Sequence, residues 1–299
     1  MESFLPFFMT LFAGLIFSVA FKKIQVPWVI TLILAGIIIG PYGFRLFEVD
    51  QTVRFISESG LVLMMFMAGL ETQLSSFKKF HNRMYLLSFI NGFLPFIAGF
   101  FITYFITQNI NTSILIGIIF ISSSVAVVIP SLEANELIST PLGSSVLATS
   151  IVQDVASLIL LSIFLQTERN ITNLPLVAFY PLVFGILIAM RYLLPKIQNY
   201  LSSGTAKKEI FQRDLRAVLL ILFGMVIVFE VLGLHPIIAG FFTGLILSES
   251  LKSEVLLGKI RAISYGIFVP TFFIVVGTQT DISQFFKAGD FIVLSLMIV

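Results

Sequence analysis

The sequence predicts an all-α, polytopic membrane protein containing an inverted repeat whose second copy is truncated. Three observations carry this. Hydrophobic residues make up 58% of the 299-residue chain, charged residues only 11%, and the mean hydropathy is +1.04. That is more apolar surface than a soluble core can bury. Segments of membrane-spanning length recur from end to end, and two regions match at a fixed offset.

Windows of about 20 residues, the length that crosses a bilayer as a helix, place apolar spans near 3–21, 26–40, 55–70, 84–107, 112–130, 142–165, 174–194, 217–233, 236–248 and 262–280, with an eleventh starting at Phe291. The first carries Glu2 and no basic leader, so it reads as a spanning helix and not as a cleaved signal peptide. Loop charge tests the count, because Lys and Arg concentrate on the cytoplasmic side. With the N-terminus outside, the inner loops hold 14 of the 18 basic residues and the outer loops four. A multi-pass protein of the cell (plasma) membrane is expected.

The repeat joins VPWVITLILAGIIIG from Val26 to HPIIAGFFTGLILS from His235, and FMAGLETQLSSFKK from Phe66 to VVGTQTDISQFFK from Val275. Gly36 and Gly69 are 33 residues apart, as are Gly244 and Gly277, so both matches share an offset of 208. Helix 2 maps onto helix 9, an odd shift, so the copies enter the membrane in opposite directions. We read one membrane domain over 1–299, with a first repeat at about 26–165, linking helices over 174–233 and a partial second repeat at about 235–299. The counterpart of helix 6 would fall beyond Val299. The chain is thus expected to be a fragment or truncated product, or to take the missing helices from another polypeptide.

Composition also excludes chemistry. There are no cysteines, and His81 and His235 stand alone, so thiolate or imidazole metal sites and redox cofactors are not expected. A net charge of +2 without a basic tail gives no reason to expect nucleic acid as a partner.

Asp154 is the one ionisable side chain in the 24 residues from Leu142 to Leu165, with 12 before it and 11 after. A charge at the bilayer centre costs roughly 3 kcal/mol on insertion scales, so an acid there is expected to face a cavity and exchange protons or ions. Gln153 adds a neutral amide oxygen, and Ser150 and Ser157, four before and three after, share the Asp154 face. Together they offer the oxygen ligands a hard cation needs. In helix 5, Ser122, Ser123 and Ser124 precede Val125. Either the helix is broken there beside Asp154, or the serines bond back to the preceding turn or pack small against a neighbour. Glu230, near the end of its helix, is a possible pathway residue. Glu71 and Asp281 read as interface anchors, and Gly36/Gly40 and Gly240/Gly244 as close-packing pairs.

With these residues in place, the chain resembles the second branch of the monovalent cation:proton antiporter superfamily, the potassium-efflux and sodium/proton exchanger type. The likeness rests on VPWVITLILAGIIIGPYGF, GLVLMMFMAGLET, SSSVAVVIPSLEANELISTPLGSSVLATSIVQDVASLILL, HPIIAGFFTGLILSES and FVPTFFIVVGTQTDI, in that order and over nearly the whole chain. It implies an inverted-repeat antiporter fold: a scaffold of helices 1, 2 and 7 to 9, and a moving core with helices 3 to 6. It implies an ion-binding acid at Asp154 with Gln153 before it, and an unwound crossover segment at Ser122 to Val125. A Gln-Asp pair is frequent in potassium-efflux members, so the resemblance leans toward K+ over Na+. Two departures stand out: no Lys or Arg lies between Arg261 and Lys287, and no match to the second crossover helix or to the nucleotide-binding regulatory domain of many relatives is expected within these 299 residues. Family analogy implies a homodimer.

The expected function is exchange of a monovalent cation for H+ by alternating access at Asp154, with membrane lipid, cation and proton as partners. No catalytic residue and no cofactor beyond the transported ions is expected, since helix 6 has no His or second acid to support an enzyme. A passive cation channel or a non-transporting truncated or partner subunit remains the alternative reading.

Overall fold

The structure, a computed structural model, describes residues 4–21, 27–46, 48–71, 82–122, 128, 132, 135–137, 140–169, 185–186, 188–198, 212–232, 234–251 and 253–281. No strand occurs among them. The helices are α1 (Phe4–Phe21), α2 (Trp28–Ile39), α3 (Gln51–Glu71), α4 (Asn82–Thr107), α5 (Ile110–Ile121), α6 (Pro141–Arg169), α7 (188–198), α8 (Arg213–Val231), α9 (Pro236–Leu247), α10 (Glu254–Ile263) and α11 (Val269–Thr278). A π-helical turn, Ser264–Phe268, joins the last two. Among the described residues, three stretches are long and apolar enough to cross a membrane: Gln51–Leu70, Leu86–Thr107 and Glu254–Thr278.

Helix ends follow local chemistry. Asp50 Oδ1 accepts from the Val53 N–H at 2.8 Å and caps α3. Asn109 Oδ1 accepts from Thr112 N–H at 3.1 Å and starts α5, and Gln108 before it takes a left-handed φ of 53°, so α4 turns into α5 within two residues. Ser253 Oγ accepts from Leu256 N–H at 3.3 Å and starts α10. That cap moves one boundary: the span expected at 262–280 begins at Glu254, and Lys259 and Arg261 sit on a helix instead of in an inner loop. Pro270 follows the π turn; lacking an N–H, it cannot bond the carbonyl one turn back, which permits the looser winding.

Two helix groups emerge. In the first, α1, α2, α3, α8, α9, α10 and α11 pack around two apolar cores. One core joins Leu63 and Phe66 of α3 to Leu222 and Phe229 of α8; the other joins Leu32 and Ala35 of α2 to Ile274 of α11. In the second, α4, α5 and α6 pack on one another. The groups meet where Leu158 and Ile159 of α6 face Ile237, Ile238, Phe241 and Phe242 of α9. The resemblance groups helices 3 to 6 together, yet α3 lies in the first group. The reason is glycine: a Cβ on Gly60 would strike the Phe268 carbonyl, and one on Gly69 the Phe241 carbonyl, so α3 lies backbone to backbone against the π turn and α9.

The offset of 208 reappears in the helix packing. α2 and α9 are the same 12 positions displaced by 208. A Cβ on Gly36 would strike the Ile274 carbonyl, and one on Gly244, its counterpart, would strike the Phe66 carbonyl, the counterpart of Ile274. Gly277 against Ile33 and Gly69 against Phe241 repeat the relation.

Candidate functional site

The helix break expected among the serines is present at its first member. α5 ends at Ile121, short of the 112–130 span, and Ser122 is extended with φ −70° and ψ 130°. Its N–H reaches back to the Ile119 carbonyl at 3.4 Å. A helix that stops inside an apolar run leaves carbonyls without intrahelical donors and a partial negative charge at its end. Ser123, Ser124 and Val125 lie outside the described residues.

Asp154, on α6, meets this break. Ser122 Oγ donates to Asp154 Oδ1 at 2.6 Å, across 32 residues of sequence, the short separation of a charge-assisted O–H···O bond. Asp154 is half-buried and Ser122 is exposed, so the pair borders open space. An ionised carboxylate offers about four acceptor positions, and the serine takes one. A proton or a cation can compete with such donors for the carboxylate, and the hydroxyl can turn to present a lone pair to a bound cation.

The neighbouring candidates divide by helix face. Ser157 is buried and donates to the backbone carbonyl of Asp154 at 2.9 Å, and so steadies the turn carrying the acid. Ser150 is buried on the same helix. Gln153 is only 2% exposed and turns toward α4, where its Nε2 donates to the Ser88 carbonyl at a long 3.5 Å. Successive helical residues lie about 100° apart, so adjacency in sequence sends Gln153 and Asp154 to different faces. Glu230 is exposed on the last turn of α8, in the first helix group.

Gln153 and Ser88 form one polar end of a cavity of about 680 Å³ between α4, α5 and α6, walled apart from them and Thr167 by apolar residues such as Phe93, Phe96, Ile118 and Leu160. Glycines bring its walls together: Gly117 sits under Phe96 and Gly99 under Phe120. Sequence reasoning misses Ser88. The signal that could find it is a small-residue pair, Ser88 and Gly92, four apart on α4, since Gly92 lies against Ile121 and Gln153. Among the described residues no group of three His, Cys, Asp or Glu side chains could hold a metal ion.

The family model described as "Sodium/hydrogen exchanger, transmembrane" matches residues 7–299, which include the broken helix and its carboxylate. The chain belongs to that family. This places it in the monovalent cation:proton antiporter superfamily and in a membrane. It is 32% identical over 283 residues to the probable Na(+)/H(+) antiporter 3 of Methanocaldococcus jannaschii, covering 93% of this chain and 72% of that one. It is 28% identical over 285 residues to the Na(+)/H(+) antiporter of Enterococcus hirae, covering 93% and 73%. To the Na(+)/H(+)-K(+) antiporter GerN of Bacillus cereus it is 28% identical over 257 residues, covering 84% and 65%. These relatives are transporters, and cation/proton exchange is the activity they have in common.

Proposed function

We propose that this exchanger family member binds one monovalent cation or one proton in turn at Asp154 and carries either across the membrane by alternating access. The observation that carries the reading is the 2.6 Å bond from Ser122, at the end of a broken helix, to the Asp154 carboxylate. Competition for one carboxylate is enough for exchange, because the empty, charged site crosses an apolar barrier far less readily than the neutralised one. α4–α6 form the moving body and the first helix group the frame, a division supported by packing that is dense within each group and sparse between them.

The frame is an inverted repeat in this reading. The two glycine crossings exchange under the displacement of 208, as a two-fold axis requires, and Gly60 touches Phe268, its own counterpart, as a residue on that axis would. Gln153, Ser150 and Ser157 hold the carboxylate's helix in position, and Gln153 adds no second charge. A single carboxylate fits one proton per cation, and the Gln153-Asp154 pair, of the kind frequent in potassium-efflux relatives, is the ground for K+ over Na+. A homodimer through the frame is part of the same reading, by analogy with the family.

The test uses the full chain in vesicles with a trapped pH indicator, and K+, Na+ or Li+ added outside. Cation-driven proton movement that vanishes in Asp154→Asn, with unchanged expression and elution, is the expected result. Exchange retained by that variant refutes the role of the carboxylate. A rate that follows membrane potential refutes one-for-one exchange, and Na+ outrunning K+ refutes the selectivity.

A further inference from the structure

Exchange at Asp154 makes no use of the cavity of about 680 Å³ between α4, α5 and α6. Its size falls in the range of about 300–1,000 Å³ typical of small-molecule sites. None of the described residues that line it is ionisable. At its inner end stand Ser88 and Gln153, both more than nine-tenths buried, with the Gln153 Nε2 donating to the Ser88 carbonyl at a long 3.5 Å. Toward its mouth stand Phe89, Phe93, Leu160 and Ile163, each 39–62% exposed. Thr167, the third polar residue of the lining, is exposed, and its hydroxyl donates to the Phe164 carbonyl at 2.7 Å.

Along α6 the lining runs from Val152 to Thr167, about 22 Å at 1.5 Å per residue. A lipid tail spans half of the bilayer's hydrocarbon core, about 15 Å, so the cavity is long enough to hold one. Its open side carries apolar side chains, and for a membrane protein of this family the medium at that side is hydrocarbon. A charged head drawn into a pocket without a counter-charge loses hydration that nothing replaces. A bare hydrocarbon leaves the polar atoms of Gln153 and Ser88 facing carbon. An uncharged hydroxyl suits this end, since it can accept from the amide that now makes the 3.5 Å bond and donate to an oxygen beside it.

We infer that this cavity binds a neutral single-chain amphiphile drawn from the bilayer, a long-chain alcohol in its simplest form, with its hydroxyl at Gln153 and Ser88 and its tail between Phe93, Phe96 and Leu160. Ile121 and Gln153 wall the cavity and are the chain neighbours of Ser122 and Asp154, the hydrogen-bonded pair. The occupant therefore braces the two segments that carry the carboxylate and its donor. One hydrogen bond of ordinary strength favours the alcohol over the bare hydrocarbon by about fivefold in affinity.

Trp28 is the one tryptophan of the chain, so the full chain carrying Trp28→Phe and Phe93→Trp holds a single indole, at the cavity mouth. It is placed in phosphatidylcholine vesicles with graded fractions of hexadecanol, hexadecane or hexadecyltrimethylammonium, each brominated in mid-chain, and indole fluorescence is read. Saturable quenching by the alcohol is expected at about fivefold lower mole fraction than by the alkane, with the ammonium compound quenching only in proportion to its amount. Ala156→Phe, which fills the cavity, should remove the saturable part. Gln153→Leu keeps the volume and should bring the alcohol level with the alkane. Asp154→Asn should leave the preference intact, which separates this site from the transport reading. The proposal is overturned by alcohol quenching that never saturates, by an alkane or ammonium compound that binds as tightly, by saturation retained in Ala156→Phe, or by a preference that survives Gln153→Leu.

Discussion

Replacing Gly36 by alanine probes the frame at a point where the structure allows a quantitative expectation. The new methyl group would lie 2.9 Å from the Gly277 Cα and closer still to the Ile274 carbonyl oxygen, whereas relaxed carbon contacts need about 3.5 Å. α2 and α11 must therefore separate by on the order of 1 Å, with the loss of backbone contact along their crossing. Overpacking of this kind costs about 1–3 kcal/mol, from which the better helix propensity of alanine returns up to about 1 kcal/mol. A net loss of about 1–2 kcal/mol lowers Tm by roughly 1.5–3 °C in a chain of this size. Gly244→Ala meets the Phe66 carbonyl in the same way and should cost the same. Gly224→Ala and Gly258→Ala meet nothing within 4 Å and serve as controls, neutral or slightly stabilising. Heating in detergent followed by size-exclusion chromatography reads the shifts. The double variant Gly36→Ala/Gly277→Ala alters one crossing, and should lose less than the sum of its parts, because helices already moved apart admit the second methyl group. Gly36→Ala/Gly244→Ala alters two crossings and should be additive. Wild-type Tm in Gly36→Ala, or shifts in the controls as large as at the crossings, would refute the backbone-to-backbone packing.

Ser122→Ala removes the donor to Asp154 Oδ1 and should raise the apparent KM for the cation by about tenfold or more while expression holds, the scale of a lost hydrogen bond to a charged group; Ser122→Thr, which keeps the hydroxyl, should retain most of the exchange. Asn109→Ala deletes the cap of α5 and should cost about 1 kcal/mol, seen as a Tm lower by roughly 1.5 °C, whereas Asn109→Asp keeps the cap and the native Tm. Gln153→Leu exchanges a long 3.5 Å bond for apolar contact in an apolar cavity, so Tm should change by less than the Gly36→Ala shift while the exchange rate falls.

Much of this was legible because membrane constraints write themselves into sequence. A lone carboxylate in an apolar run marks Asp154 as the candidate whatever surrounds it, since a charge there is costly to insert. Three hydroxyls in an otherwise apolar helix marked the break that the structure places at Ser122. The glycine spacing of 33 residues in both matched regions marked positions where helix backbones touch. Other features were hidden. Gln153 and Asp154 are neighbours in the chain, but the 100° helical step turns the amide to Ser88 and the acid to Ser122. The division of helices was hidden too: α3 reads as one more apolar helix, and only its glycines pressed against α9 and the π turn assign it to the first helix group.

By itself the sequence determined the membrane class, the family's motifs and the identity of the mid-helix acid, because each follows from composition, period or spacing along one strand of chain. The tertiary structure alone decided which hydroxyl reaches that acid, which amide turns away, and which helices cross backbone to backbone. Those are contacts between segments tens to hundreds of residues apart, fixed by helix rotation and by the collisions a missing Cβ avoids, and neither is written in local order.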